Sequence, residues 1–467
     1  MGANEPLKPI PAAAADATAR LAAHVASTRY EDLRPETIHA FKRALQDYLT
    51  CAISGSAMPV SRTLLDYFKE TDATRTATVI GSGAKLSAQN AALVNGANCH
   101  GLDFDDGHTN GSVHPAGSIF SAVLAAAEQH GATPQQIIAA VVMGYDITCR
   151  IAAASHPTTA RRGWHNTAIA GVFGAAAAVA KLLGLDADKT RNALGLAGSF
   201  SGGVREYLYD GAEVKRIHPG KAARDGLLCA ELAARGITGA VKILEGKNGF
   251  ANTHANGEMK WDRLMLDLGT RYEIEHAYFK PYPCCRHYHS AIDGILALRE
   301  EHGFKPGDVK QIHLGLYSVG VTGHDHKTAE NLLDAQMSAP VAAALAVVDG
   351  AIAAHHFLPE SLARAEVRRL IDACDTRVDD ECERIYPGRR SGYVRLELAG
   401  GKMVEKRVLD PKGEGENPMT DDDLKRKFTV NCEPVVGKAR CAGLMEAVWG
   451  FKNLAGTGEI FSWGNQE

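Results

Sequence analysis

From about residue 15 to residue 265 the chain is helical in pattern almost without a break, with alanine-rich apolar runs that close on glycines. No other feature constrains the fold as much. Thr133-Pro134-Gln135-Gln136 is a complete helix start, with Thr133 as N-cap, Pro134 in the first turn and Gln136 closing a capping box. Arg224 to Arg235 predicts another helix, stopped by Gly236. Side chains in stretches such as GVFGAAAAVA (171–180) are small enough for helices to approach closely, which predicts a compact α-helical bundle with short loops.

The pattern changes after Tyr272. QIHLGLYSV (311–319) and YVRLELAGGKMVEKRVL (393–409) alternate polar and apolar residues, and Gly400-Gly401 marks a hairpin turn in the second. Helical stretches fall between them, near 335–350 and 359–373. Thr420 then opens a last helical region, with three aspartates in its first turn and Lys425 to Lys427 further on. The expected architecture is mostly α: a large all-helical domain from residues 1–270 and 410–467, and a smaller α+β lid domain, 271–409, with an antiparallel sheet.

Composition removes several function classes. Net charge is −4, and the longest basic cluster is Lys425-Arg426-Lys427, so no nucleic-acid partner is expected. The ten cysteines include no C-x2-C pair, which excludes zinc-ribbon and iron–sulfur spacing and reads as reduced thiols. The first residues lack the layout of a signal peptide, Pro6 breaks a myristoylation pattern, and the apolar run 163–180 contains Trp164, His165 and Asn166. A cytoplasmic protein without a membrane span is expected. No G-x-G-x-x-G, Walker A or G-x-S-x-G motif is present.

Three segments carry chemistry. HGLDFDDGHTNGSVHP (100–115) holds three histidines and three aspartates among turn residues; it reads as a polar loop, a proton-transfer loop or a metal site, and its spacing fits no helix-borne ligand pair. RRGWHNTAIAG places His165 before a helix start that Asn166 or Thr167 can cap, and EVKRIHPGKAARDG gathers Lys215, Arg216, His218 and Lys221 in a basic loop ahead of a helix. FKPYPCCRHYHSAID holds Lys280, Cys285, Arg286, His287 and His289, and its adjacent cysteines favour a cationic pocket over zinc. Lysines and arginines bind carboxylates and hold an enolate-like dianion, and histidines with an aspartate supply base and acid. The combination points to carbon-acid chemistry on a small polycarboxylate, with no metal assigned.

The segments LDFDD…HPAG, GYDITCRIA, GWHNTAIAGVFGAAAAVAKLLGLD, VKRIHPGKAARDGLLCAELAARGITGAVKILEGKNGF, FKPYPCCRHYHSAID and DPKGEGENPMTDDDLKRKF together resemble the MmgE/PrpD family, in family order across nearly the whole chain. That family includes 2-methylcitrate dehydratase, cis-aconitate decarboxylase and iminodisuccinate epimerase. The resemblance implies a cofactor-independent enzyme, usually a homodimer, with its pocket between a helical domain and a lid. It implies pocket roles for Asp103, His114, His165, Lys215, Lys280 and Tyr317, with Cys285 and His289 near the same wall. Gly107 stands where several members carry Thr. The resulting expectation is a hydro-lyase of the citrate or methylcitrate type, with His114 or His165 as base and Asp103 orienting the imidazole. Lys215 and Lys280 would hold the carboxylates, Arg216 and His218 would add to substrate binding, and a His or Tyr317 would assist departure of hydroxide. Epimerisation, decarboxylation and non-catalytic carboxylate binding are the alternatives.

Overall fold

A computed structural model describes residues 10–454. The bundle is built on α1 (Pro35–Gly55), α2 (Ala88–His100), α3 (Ala116–His130), α4 (Pro134–Ser155), α5 (Asn166–Leu182) and α6 (Val214–Ala234). The Thr133 capping box opens α4 as its sequence predicts. This helix is long and apolar enough to cross a membrane, yet its apolar window is wholly enclosed by other parts of the molecule. α5 lies between α4 and α6, and α6 packs on α2. The crossing of α2 with α6 requires glycine: a Cβ on Gly96 would lie 2.4 Å from the Cα of Gly220.

α6 departs from the sequence reading. Residues 213–226 are not a basic loop, because the helix begins at Val214 and runs through Pro219. A proline at this position forfeits the bond to the Lys215 carbonyl. Close packing of the Gly220 turn on α2 holds the helix together there. Lys215, Arg216 and His218 therefore sit buried on helix turns rather than solvated in a loop.

The α+β region comprises α7 (His289–His302), β1 (Val309–Leu316), α8 (Ala339–Asp349), β2 (Cys374–Val378), β3 (Gly392–Leu398) and β4 (Met403–Val408). The strand order is β2-β1-β3-β4. β3 and β4 form the hairpin around Gly400-Gly401. The sheet is mixed rather than wholly antiparallel, since β2 runs parallel to β1. The long helical crossover between these two strands permits the parallel pairing.

α9 (Asp421–Val436), capped by Thr420 and Asp423, and α10 (Lys438–Trp449) return the chain to the bundle, where α9 packs on α1. Leu424, Phe428 and Cys432 join the core of the helical half, whereas Ile295, Ile312, Leu345 and Leu396 belong to a second core beneath the sheet. Lys427 does more than offset a helix dipole. It is buried and donates to Asp47 (2.6 Å) and to the Phe104 carbonyl (2.9 Å), which ties the C-terminal segment to the loop after α2.

Candidate active site

That loop, 101–115, is not solvated. Its aspartates and His108 are buried, and each is held by a separate contact. His108 Nε2 lies 2.9 Å from Glu273, which Arg263 also grips through both nitrogens. Asp106 accepts from the Tyr145 hydroxyl and from the Ala116 amide at the start of α3. Gly107 and His108 pair with Ala277 and Tyr278, so the loop is tied to the segment leading into the α+β region. Asp103 sits at φ +51°, in the left-handed region that a non-glycine residue rarely occupies without compensating contacts.

The compensation comes from two lysines. Lys215 Nζ donates to Asp103 Oδ1 at 2.7 Å, and Lys280 Nζ lies 3.3 Å from the same oxygen while donating to the Asp103 carbonyl at 2.8 Å. Burial alone would raise the Asp103 carboxyl, but the two ammonium groups overcome it and hold the group well below the usual carboxylate range. Burial likewise opposes charge on Lys280, and Asp103 outweighs it, keeping the ammonium above its ordinary value. Asp103 thus positions two cations and does not orient an imidazole, as the sequence reading had expected. That task falls to Asp105 and to a backbone carbonyl. His100 Nδ1 lies 2.9 Å from Asp105, and His114 Nδ1 lies 2.6 Å from the Asp106 carbonyl.

The His114 contact fixes a tautomer. A carbonyl can only accept, so Nδ1 carries the hydrogen and Nε2 of the neutral ring keeps its lone pair. Burial pushes His114 down to about 4, with Asp105 opposing, so the neutral form prevails at pH 7. His165 is also buried and held well below its ordinary value by burial and by His218, whose Nδ1 is 2.9 Å from its own. Neither Asn166 nor Thr167 caps α5. Asn166 accepts from Thr159 and donates to the Gly111 carbonyl, and Thr167 accepts from the His114 amide, so both are spent holding the site loop.

These groups line a cavity of about 140 Å³ between the bundle and the α+β region. Asp103, His114, His165 and Lys215 of the bundle line it together with Lys280, Cys285, His287 and His324 of the segments that follow. His287 is likewise held well below its ordinary value by burial, whereas His324 is raised. Cys285 Sγ is 3.7 Å from His324 Nε2, and His324 Nδ1 is 2.8 Å from the Met337 carbonyl. Burial would lower His324, but the Cys285 thiolate overrides it and raises the imidazole to about 9. Burial opposes the Cys285 thiolate in turn, and His324 brings the thiol below its ordinary value.

Four expected residues do not reach the cavity. Tyr317 is fully buried behind His287, its hydroxyl 2.7 Å from His287 Nδ1 and its ring stacked on Tyr386. His218 stands behind His165. Arg216 points instead to Gln336, at 3.3 Å. His289 is buried against the Cys284 carbonyl and the Tyr282 ring, where it starts α7. Arg216, His218 and His289 lie within three positions of a lining residue, and helix or turn geometry sends them elsewhere. Sequence reasoning missed Arg205, Tyr207, His324 and Arg390, all of which line the cavity. The polar run GHDH (323–326) and the pair Arg389-Arg390 between glycine and serine were signals that could have found two of them.

The fold and site define a class: a mostly α protein with a smaller α+β region, holding between them a small cavity rich in cations and imidazoles. The chain belongs to the MmgE/PrpD family. The family's N-terminal domain matches residues 19–262 and its C-terminal domain matches residues 282–450. The cis-aconitate decarboxylase-like protein oryM of Aspergillus oryzae is 27% identical over 95% of this chain and 96% of its own. The cis-aconitate decarboxylase of Aspergillus terreus is 27% identical, covering 91% of each chain. The Homo sapiens cis-aconitate decarboxylase is 25% identical over 90% of this chain and 89% of its own.

Proposed function

We propose that this protein is a lyase acting on a small polycarboxylate, and that its first step is proton removal from a carbon beside a carboxylate. One observation carries the reading. The cavity is lined by His114, a neutral imidazole with a free lone pair, by His324, which Cys285 raises to about 9, and by two buried lysines. His114 Nε2 takes the α-proton. Lys215 and Lys280 hold the adjacent carboxylate as it gains enolate character, and Arg205 and Arg390 add positive charge for a further carboxylate. His324 delivers its proton to the departing group.

Elimination of water uses both members of this pair. The base removes the proton, and the acid converts hydroxide into water as it leaves. A hydro-lyase of a citrate-type hydroxy acid is therefore the first reading. Loss of CO2 followed by protonation is the second, and the decarboxylase names of the relatives favour it. Both pass through a carbanion beside a carboxylate, so the same lysines serve either.

Proton NMR in D2O, on purified protein with citrate, 2-methylcitrate, cis-aconitate, malate and both iminodisuccinate enantiomers, tests the proposal. A vinylic signal from a hydroxy acid supports dehydration, and itaconate from cis-aconitate supports decarboxylation. Deuterium at the α-carbon with neither product points to epimerisation. Binding without turnover or exchange across the panel would overturn the lyase reading.

A further inference from the structure

Cys285, His287 and His324 form one face of the cavity, and one ligand atom from each lies within 4.8 Å of the other two. Their donor set is a thiolate sulfur and two imidazole nitrogens, which suits a borderline-soft d¹⁰ cation. Tetrahedral Zn²⁺ bound at about 2.3 Å to sulfur and about 2.0–2.1 Å to nitrogen sets its ligand atoms roughly 3.5 Å apart. The Cys285–His324 separation, 3.7 Å, is already close to that. The remaining gap is within reach of side-chain rotation.

The surroundings of the three residues match what steadies metal-binding histidines elsewhere. His324 Nδ1 donates to the Met337 carbonyl, which leaves Nε2 aimed at Cys285. The His287 ring is held through Nδ1 by Tyr317, itself fully buried and stacked on Tyr386 at 4.2 Å. Outer partners of this kind fix ring orientation at metal sites. Three protein ligands leave a fourth position open, and here it faces the cavity, where a water or a carboxylate can enter. The spacing of the chain conceals the set, because His324 comes from a different element, 39 positions from Cys285.

We propose that Cys285, His287 and His324 bind Zn²⁺ on the wall of the substrate cavity, as an inhibitory site and not as a resident cofactor. A bound Zn²⁺ would occupy the Cys285 sulfur and one imidazole nitrogen each of His287 and His324 on the cavity wall. The inhibition rests on the function proposed above; the binding does not. Both the acid and the space for substrate would be lost on occupancy.

Binding is measured without substrate, on full-length protein first freed of metal with chelator. Titration with Co²⁺ is expected to give a thiolate-to-cobalt charge-transfer band and the strong red d–d absorption of a tetrahedral site, saturating at one equivalent and abolished by Zn²⁺. Cys285→Ser should remove the charge-transfer band. Tyr317→Phe, which leaves all three ligands in place, should weaken Zn²⁺ by about 10- to 100-fold in calorimetry. On the unaltered protein, Zn²⁺ should slow labelling of Cys285 by iodoacetamide, read by peptide mass spectrometry, so the proposal does not depend on a variant folding. Absence of the charge-transfer band at saturating Co²⁺, its persistence in Cys285→Ser, or Cys285 labelling unaffected by Zn²⁺ would each overturn the site. Tight binding without loss of turnover would overturn the inhibitory role while leaving the ligand set standing.

Discussion

The cavity holds one residue type in opposite charge states: His114, His165 and His287 are kept neutral, and His324 is kept protonated. His114 and His165 are neutral because burial penalises the imidazolium, a penalty that Asp105 beside His114 only partly offsets. His324 is also largely removed from solvent, yet Cys285, 3.7 Å from its Nε2, raises the imidazole to about 9. Burial sets a uniform penalty, and the anion assignment decides which histidine carries the proton. The same arrangement leaves the cavity cationic overall.

Removing Asp103 should break this division most severely. Asp103→Ala leaves Lys215 and Lys280 buried without their carboxylate, and loss of one partner from a buried ion pair costs about 3–5 kcal/mol. Chemical denaturation should show that loss, and turnover should fall steeply because Lys215 loses its carboxylate and Lys280 keeps only the backbone carbonyl of residue 103. A variant as stable as the parent would mean that the lysines find other partners.

His114→Asn tests the neutral histidines directly. It should lower kcat by about 10²–10⁴-fold with little change in substrate affinity, since asparagine keeps polarity but cannot take a proton. Deuterium exchange at the α-carbon should disappear with it. If exchange survives in His114→Asn and is lost in His165→Asn, the base is His165.

The bundle was legible in the sequence wherever local rules decide structure. Thr133 and Thr420 open helices as their capping boxes require, and Gly400-Gly401 turns a hairpin. Local rules also misled where tertiary packing prevails. Pro219 reads as a break, but the Gly96–Gly220 crossing carries the helix through it. The cavity-facing residues Asp103, His114, His165, Lys215, Lys280 and Cys285 stood out as motifs, whereas their pairings did not. Sequence places Asp103 near His114 and gives no sign that its oxygen reaches Lys215, 112 positions away. His324 was missed because its importance comes from Cys285 across a fold that spacing does not reveal.

A smaller and more selective effect is expected at Cys285. In the parent, turnover should rise as pH increases through about 4, where His114 loses its proton, and fall through about 9, where His324 loses the proton it donates. Cys285→Ser removes the main group that holds His324 charged, leaving burial and Lys215 opposed by the bond to the Met337 carbonyl. The imidazole should drop to the ordinary histidine range, about 6.5, or lower. The alkaline limb should therefore move to lower pH while the acid limb stays in place. A pH profile that weakens uniformly, with both limbs unmoved, would mean that His324 is not the acid.

Thr133→Ala is expected to have the smallest effect and separates the scaffold from the chemistry of its walls. The Thr133 hydroxyl accepts from the Gln136 amide, and Gln136 reaches back to the Thr133 amide, at an exposed helix start away from the cavity. Loss of such a cap costs about 0.5–2 kcal/mol. Helix α4 carries Tyr145, which holds Asp106, whose carbonyl in turn fixes the His114 tautomer. If the helix frays only in its first turn, the denaturation midpoint falls while kcat and both pH limbs stay where they were. If the acid limb moves as well, disorder at the cap has travelled along α4 to Tyr145. The proton state of His114 would then depend on the whole length of that helix as well as on contacts within the cavity.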